Sequence, residues 1–458
     1  MHNRPRRRRR APRRADLSRL AAAALLCVAA AATAAAQEVP DPQRNSPFSR
    51  FGVGDLVPFA YSTQLAMGGI GVGFSDRHIA SPTNPASLGA LRYTSFQVGV
   101  GLERSQLEGD GGLESENLTG NLQYLSLAFP LQNSLQRVLD GKTSKWRNGM
   151  MIAVAPYSNI GYNVQLASQQ ALVGEVVTRF QGSGGYYRLQ WGNGLEYEGL
   201  RAGLNLSFIF GRANNQEIVF VRAPDSTGIG ASVLTRTDAL RGRGLETQLG
   251  AQYDWVLRRN DAGPLNTLTF GASATIGGQL DAEASETVTT RDIAFELDTV
   301  RRLLNSVQTV QLPNRVALGA YYQVKNKLGV GFDYERVSWS SFDNSLRPGE
   351  RLVDVNRYSF GAQWIPNYQA YGKYWQRIRY RAGAYSNQDP RPGVNPEVGV
   401  TFGLGLMIVR PREEVSYVNL ALNAGRFGTE ADISQRYVRL TVGFTLTDNS
   451  WFYKRRFN

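Results

Sequence analysis

The sequence predicts an all-β protein: a transmembrane antiparallel β-barrel of about 14 strands, with an N-terminal plug inside the lumen. Three observations predict it. First, beyond residue 92 apolar and polar residues alternate, as Phe96, Val98, Val100 and Leu102 do with Gln97, Gly99, Gly101 and Glu103. A period of two gives each strand one apolar and one polar face. Second, the alternating runs reach roughly ten residues, the length of a tilted strand crossing a bilayer, where strands in a soluble sandwich average about five or six. Third, Trp191, Tyr197, Tyr253, Trp255, Trp339, Trp364 and Tyr385 stand toward run ends, as aromatic girdles do at the two membrane interfaces. Closure of the sheet then pairs every backbone group, which strands in lipid require.

Residues 1–36 read as a secretory signal peptide. Nine arginines lie within residues 4–19, the apolar run Leu20–Ala32 follows, and the segment ends in Ala34-Ala35-Ala36. A basic start, a short apolar middle and a small-residue end mark export with cleavage near Ala36. The run is too short and alanine-heavy for a membrane anchor. Leu26 before Cys27 is too bulky for a lipoprotein signal, and Ala15-Asp16-Leu17 after Arg13-Arg14 is a poor match to the twin-arginine route.

Removing this segment changes the charge argument. The whole chain carries +13, and nine Arg against one Asp put +8 of it in residues 1–36, leaving the mature chain near +5. Such a balance gives no support for a nucleic-acid partner. Cys27 is the only cysteine, so the mature chain is expected to hold together by backbone pairing and burial, without disulfides.

Residues 37–91 read as lead-in and plug. Asn45 to Leu56 is a Pro/Gly-punctuated polar and aromatic stretch without a sustained period. Gln64 to Leu91 follows, with Gly68, Gly69, Gly71 and Gly73 and then the turn-forming Asn84, Pro85 and Ala86. Glycines there allow close backbone approach and positive φ. The segment is too glycine-rich for a helix and too broken for one long strand.

Residues 92–458 read as wall. Alternating runs near residues 94, 121, 149, 172, 186, 200, 247, 267, 314, 328, 357, 377, 397, 414 and 436 give fourteen or fifteen segments. Single-chain bacterial barrels have even strand numbers, which selects fourteen. Three polar stretches interrupt the wall and are expected as outer surface loops: 131–146, 213–243 and 283–312, the last with a short amphipathic helix.

The run AMGGIGVGFSDRHIASPTNPASL resembles the N-terminal plug of the FadL-like transporters of long-chain fatty acids and hydrocarbons. Further echoes are Gly182-Ser-Gly-Gly-Tyr, Leu312-Pro-Asn-Arg-Val-Ala-Leu-Gly-Ala-Tyr-Tyr, Asp333-Tyr-Glu, Trp339-Ser-Ser-Phe and Tyr380-Arg-Ala-Gly-Ala-Tyr. They run in order along nearly the whole mature chain. The resemblance implies a fourteen-stranded barrel with the plug inside, ligands entering from outside and leaving through a gap in the wall, and Asn84, Pro85 and Ala86 as the plug signature. The lead-in SPFSRFGVGDL and Ala155 to Tyr162 mark a divergent subgroup. The end Trp451 to Asn458 departs from a strand-terminal aromatic, which puts the assembly signal inside, at Phe444 to Phe452.

Chemistry is sparse. His78 is the only mature histidine, so no metal site, no cofactor and no hydrolytic relay is expected, and the protein is not an enzyme. His78 itself reads as a solvated or capping side chain. The spacing of Gly69, Gly71 and Gly73 lacks the Lys-Ser/Thr of a phosphate loop. Asp333, Glu335, Arg379, Arg381 and Arg439 fall on inward positions. They have two readings: a carboxylate-headgroup site, since Arg offers a bidentate fork, or cross-strand charge pairing in a polar lumen. The latter is the commoner case.

Two functions remain. One is passive uptake of hydrophobic or amphipathic molecules across the bacterial outer membrane, gated by the plug, with outer-membrane lipids around the wall and a fatty-acid or hydrocarbon ligand within. The other is a non-transporting barrel serving as scaffold or subunit of an envelope secretion or assembly complex, with a protein partner.

Overall fold

The computed structural model describes residues 46–448, apart from 51–52, 110–113, 133–144, 171–173, 223–231, 262, 292–296, 345–350, 371, 410–414 and 430–432. The expected signal peptide and the last four residues of the segment Phe444 to Phe452, 449–452, lie outside the described residues.

The lead-in and plug hold a two-residue strand β1 (Asp55–Leu56) and a one-turn helix α1 (Ser62–Leu65). A 3₁₀ turn at Pro85–Ala90 closes the plug. The wall follows as β2 (Thr94–Gly109), β3 (Glu114–Pro130), β4 (Trp146–Gln170), β5 (Gly174–Tyr197), β6 (Leu200–Arg222), β7 (Ser232–Asn260) and β8 (Gly263–Ile276). Next come β9 (Gln279–Arg291), β10 (Leu297–Gln311), β11 (Asn314–Val324), β12 (Leu328–Ser338) and the short β13 (Asp343–Asn344). The chain finishes with β14 (Val355–Trp364), β15 (Arg379–Asn387), β16 (Asn395–Val409), β17 (Val415–Gly428) and β18 (Ile433–Asp448).

The ladders close a 14-strand antiparallel barrel. Its wall is β2 to β8, β11, β12 and β14 to β18, sealed by pairing of β18 with β2 from Ile433↔Gly109 to Asp448↔Thr94. Two of the fifteen runs read from the sequence, near 172 and 186, are one strand, β5. The glycines Gly182, Gly184 and Gly185 blank the alternation in its middle, which is why a single strand reads as two.

The wall faces behave as the period requires. Phe96, Val100 and Leu102 are exposed on the outside of β2, whereas Gln97 and Glu103 are buried inside it. Tyr197, Tyr253, Trp255 and Trp364 are exposed near the end of the barrel that carries the Glu198–Gly199 and Lys325–Lys327 turns. Trp339 and Tyr385 do not belong to a girdle. Trp339 is buried against Phe342, and Tyr385 points inward, where its hydroxyl meets that of Tyr437.

The polar stretches also differ from expectation. The described residues of 283–312 form no helix: β9 and β10 make a hairpin paired from Leu297↔Arg291 to Gln311↔Gln279. It grows from the wall where β7 changes partner, pairing β8 through Thr247–Asn260 and β9 through Val233–Gly244. Most of 213–243 is likewise strand, in β6 and β7. The connection at 131–145 leaves from the opposite end of the barrel, the end where β2 starts and β18 stops. Barrels turn short on the periplasmic side and long outside, so the ends of this connection, Leu131 and Lys145, belong to the periplasmic rim, and the β9–β10 hairpin to the outer one.

Candidate functional site: the plugged lumen and its seam

Residues 57–91 pack against the buried faces of wall strands around the circumference. Wall glycines make the room. A Cβ on Gly203 or Gly194 would lie 2.5 or 2.6 Å from the Pro85 carbonyl oxygen, and one on Gly149, Gly271 or Gly361 would overlap the plug carbonyls of Leu88, Val72 and Met67. The small residues opposite the plug are therefore there for backbone-to-backbone contact.

Within the plug, Gln64 is fully buried and ties two parts together. Its Oε1 accepts from the Tyr61 N–H at 2.9 Å and its Nε2 donates to Ser81 Oγ at 2.5 Å, while Ser81 Oγ donates to the Gly71 carbonyl at 2.8 Å. Gly68 (φ +69°) and Gly69 (φ +86°) supply the left-handed turn after α1. Gly71 and Gly73 do not take positive φ; each is required by space, Gly71 beside Gln64 and Ser81 and Gly73 against the Ala320–Tyr321 backbone. The four glycines thus divide into two conformational and two steric positions.

Asn84 is the hub of the signature triplet. Its Oδ1 caps the 3₁₀ turn by accepting from the Ala86 N–H at 3.1 Å. Its Nδ2 lies within donor distance of the carbonyls of Val72, Ala251 and Ala272 at 2.8, 3.2 and 3.3 Å. Pro85 opens the turn, where its missing N–H costs nothing, and Ala86 is buried beneath it. All three are structural, holding plug to wall.

The lumen charges separate into anchors and lining. Asp333 Oδ2 accepts from the Gly71 and Val72 N–H groups at 2.6 and 2.8 Å, so a wall carboxylate grips the glycine segment. Arg379 reaches the plug at Asp76 (3.3 Å) and donates to the Tyr417 hydroxyl at 2.7 Å. Arg439 pairs with Glu103 across the β18–β2 closure. Arg381 donates to Gln363 and Asn419 at 2.9 Å each. Glu335 lines the lumenal cavity. Cross-pairing accounts for most of this set, and Asp333, Glu335 and Arg439 also line the lumenal cavity.

Asp76 and His78 complete the Arg379 contact. Burial opposes ionisation of Asp76, but Arg379 and His78 outweigh it and hold the carboxyl below its ordinary value. Burial is also the main influence on His78, and despite Asp76 it keeps the imidazole below its ordinary value. His78 is not a solvated side chain: it stacks on Tyr93 with centroids 4.5 Å apart. Among the described residues no group of His, Cys, Asp and Glu is placed to hold a metal ion. Sequence reading missed Gln64, Asp76 and the buried Glu246, which takes Arg315 at 2.6 Å. A charged residue in a small-residue run was the available signal for Asp76, and inward parity on β7 for Glu246.

The wall has a seam. β3 and β4 are paired only over Leu125–Pro130 with Gly149–Val154, yet β3 runs on to Glu114 beside β2 and β4 runs on to Gln170 beside β5. Above Leu125 the edge of β4 is taken by the lead-in instead. β1 pairs through Asp55↔Asn159 and Leu56↔Ser158, Ser158 Oγ donates to the Val53 carbonyl at 2.7 Å, and the Ser46 N–H donates to that of Gly161 at 2.8 Å. A cavity of about 290 Å³ lies behind it, lined by lead-in Val53 and Phe59, by Tyr157, and by Arg188, Glu246 and Arg315.

A sequence model of BamG matches residues 19–458. The chain belongs to the BamG family. No curated protein matches it significantly in sequence. Among solved structures, the BamG-family chain is similar to the Pseudomonas putida toluene transporter TodX (17% identity, TM-score 0.54, covering 86% of this chain and 100% of that one). It is also similar to the Ralstonia pickettii toluene transporter TbuX (16%, 0.51, 87% and 99%) and to a Pseudomonas aeruginosa FadL homologue (11%, 0.53, 86% and 99%). These likenesses show the fold of this BamG-family member, a closed β-barrel like those of the toluene transporters and the FadL homologue.

Proposed function

We propose that this BamG-family barrel is an outer-membrane channel for passive uptake of hydrophobic or amphipathic small molecules, with the N-terminal plug and lead-in as its gate. The observation that carries the reading is the seam. Its lower part lies level with the outward apolar residues Leu118 and Leu122 of β3, so displacing β1 from β4 opens the lumen toward hydrocarbon rather than toward water. The cavity behind it offers Val53, Phe59 and Tyr157 to an apolar tail and Arg188 and Arg315 to an anionic head, a lining that suits a fatty acid and also admits a hydrocarbon. The solved toluene transporters of the same fold support it as relatives.

Leu56 and Ser158 face each other across the β1–β4 register, close enough for a disulfide in antiparallel pairing. The mature chain has no other cysteine. In liposomes carrying the Leu56→Cys, Ser158→Cys variant, oxidation should stop uptake of a labelled long-chain fatty acid and of toluene, and reduction should restore it. Full uptake by protein shown to be cross-linked would rule out the gate.

One observation favours a second reading, a subunit of an envelope assembly or secretion complex. β4 to β7 are far longer, at 23–29 residues, than the ~10 residues a bilayer needs, and with the β9–β10 hairpin paired to β7 they raise a broad sheet above the membrane where a protein partner has room to bind. The same uptake assay separates the readings, because a scaffold gives no uptake in either redox state.

A further inference from the structure

On the outer face of that raised sheet, the apolar bands of two strands stop at the same height. On β6 the exposed Leu206, Phe208 and Phe210 are followed by Arg212, and on β7 the exposed Leu249 and Leu245 give way to Arg243 and Arg241. On β5 the band runs between Tyr197 and Tyr187, matching the ~9–11 residues of a tilted spanning strand. Tyr187, Phe208 and Phe210 group their rings at its upper limit, with centroids 6.4 and 5.8 Å apart. Aromatic rings of this kind sit at the headgroup level, so the three arginines stand at the outer-leaflet interface.

These three arginines gather beside one groove. Several other exposed arginines of the outer rim are paired: Arg104 with Glu116, Arg436 with Glu108 and Arg336 with Asp354. Among the described residues no ion pair or hydrogen bond engages Arg212, Arg241 or Arg243. Asp281 and Glu283 stand opposite Arg243 and Arg241 in register without closing onto them. Arg212 and Arg241 are direct cross-strand partners, and like charges so placed destabilise a sheet. An anion between them removes that cost. Beside them a groove of about 860 Å³ opens, with Tyr187 and Phe210 below and the arginines along it.

We propose that Arg212, Arg241 and Arg243 form a binding site for a phosphorylated glycolipid of the outer leaflet. The guanidinium groups take the phosphate in bidentate fashion, and the aromatic band below packs the first acyl carbons. Three cations against two carboxylates leave the groove net positive, and the carboxylates confine the phosphate to the arginine side. The site lies outside the lumen and is independent of whether the barrel transports anything.

The test uses the purified full-length protein and native mass spectrometry with bis-phosphorylated lipid A, its dephosphorylated form and inorganic phosphate. Wild type should retain lipid A, and the Arg212→Gln, Arg241→Gln, Arg243→Gln variant should retain on the order of tenfold less, as expected for losing charge-assisted phosphate bonds. Dephosphorylated lipid should be held weakly by both. Arg336→Gln, at a paired rim arginine, should leave retention unchanged, and heat-modifiable migration shows that each barrel is folded. Should the triple variant not fold, Arg241→Gln alone should show a several-fold loss. Equal retention by wild type and folded variants overturns the proposal. So does displacement of lipid A by millimolar inorganic phosphate, which makes the site a free-anion site, or a co-purifying protein lost from the variant while lipid retention is unchanged.

Discussion

At the scale of single residues, the plug is held by polar side chains whose partners are backbone groups. Asp333 is the clearest case, because one carboxylate oxygen serves two N–H donors of the glycine segment. Replacing it with Ala strands both donors in a buried place, at a cost of about 1–3 kcal/mol each. The Asp333→Ala barrel should therefore melt several degrees lower and show frequent brief openings in planar-bilayer recordings. Asp333→Asn keeps an acceptor oxygen and should fall between. Unchanged melting and silent recordings from Asp333→Ala would mean that the grip on Gly71 and Val72 carries no weight. Parity alone puts Asp333, Arg379, Arg381 and Arg439 on the inward face, so their direction was legible in the sequence. Their partners were not: Asp76 is separated from Arg379 by most of the chain, and nothing local to either residue announces the pairing.

At the scale of elements, the wall glycines and the plug turn form one device. Gly203 and Gly194 on neighbouring strands both receive the Pro85 carbonyl, and Gly149 receives that of Leu88. A methyl group at Gly203 meets backbone that cannot rotate away, so Gly203→Ala should push the Pro85–Ala90 turn off the wall. Limited proteolysis is expected to cut the variant within residues 84–92 while wild type resists. Gly120→Ala is the control, because its added carbon crowds the Leu102 side chain alone, at 3.1 Å, and meets the Gly101 carbonyl at an ordinary 3.9 Å. Protection of Gly203→Ala equal to wild type would show that the wall relaxes instead. Strands such as β2, β12 and β18 were readable because each has one face in lipid and one in the lumen. The β9–β10 hairpin was not, for a physical reason. It stands above the bilayer, has no lipid to impose an apolar face, and carries bulges between Thr299 and Arg301 and between Leu303 and Ser306. Exposed Arg301, Arg302, Leu303 and Leu304 in succession then imitate the surface of an amphipathic helix.

At the scale of the whole molecule, the question is whether wall and plug are separable. The wall closes through its own ladders, β18 on β2 above all, and only the upper edge of β4 borrows its partner from the lead-in. An open edge is the one part of such a sheet that lipid penalises. Deleting residues 46–91 behind the signal peptide should therefore leave a barrel that inserts and remains heat-modifiable, since the ladders of all fourteen wall strands survive. Its melting temperature should drop, because the inward faces of the glycine strands lose their packing and Asp333 and Arg379 lose their plug partners. Its conductance should become large and steady, because the lumen that the plug filled is lined by polar residues and takes up water. A deletion that accumulates only as unfolded protein would instead mean that β1 on the edge of β4 is needed to complete the barrel. The gate would then be inseparable from the wall, and motion at the seam would have to be a small shift of the lead-in rather than its release.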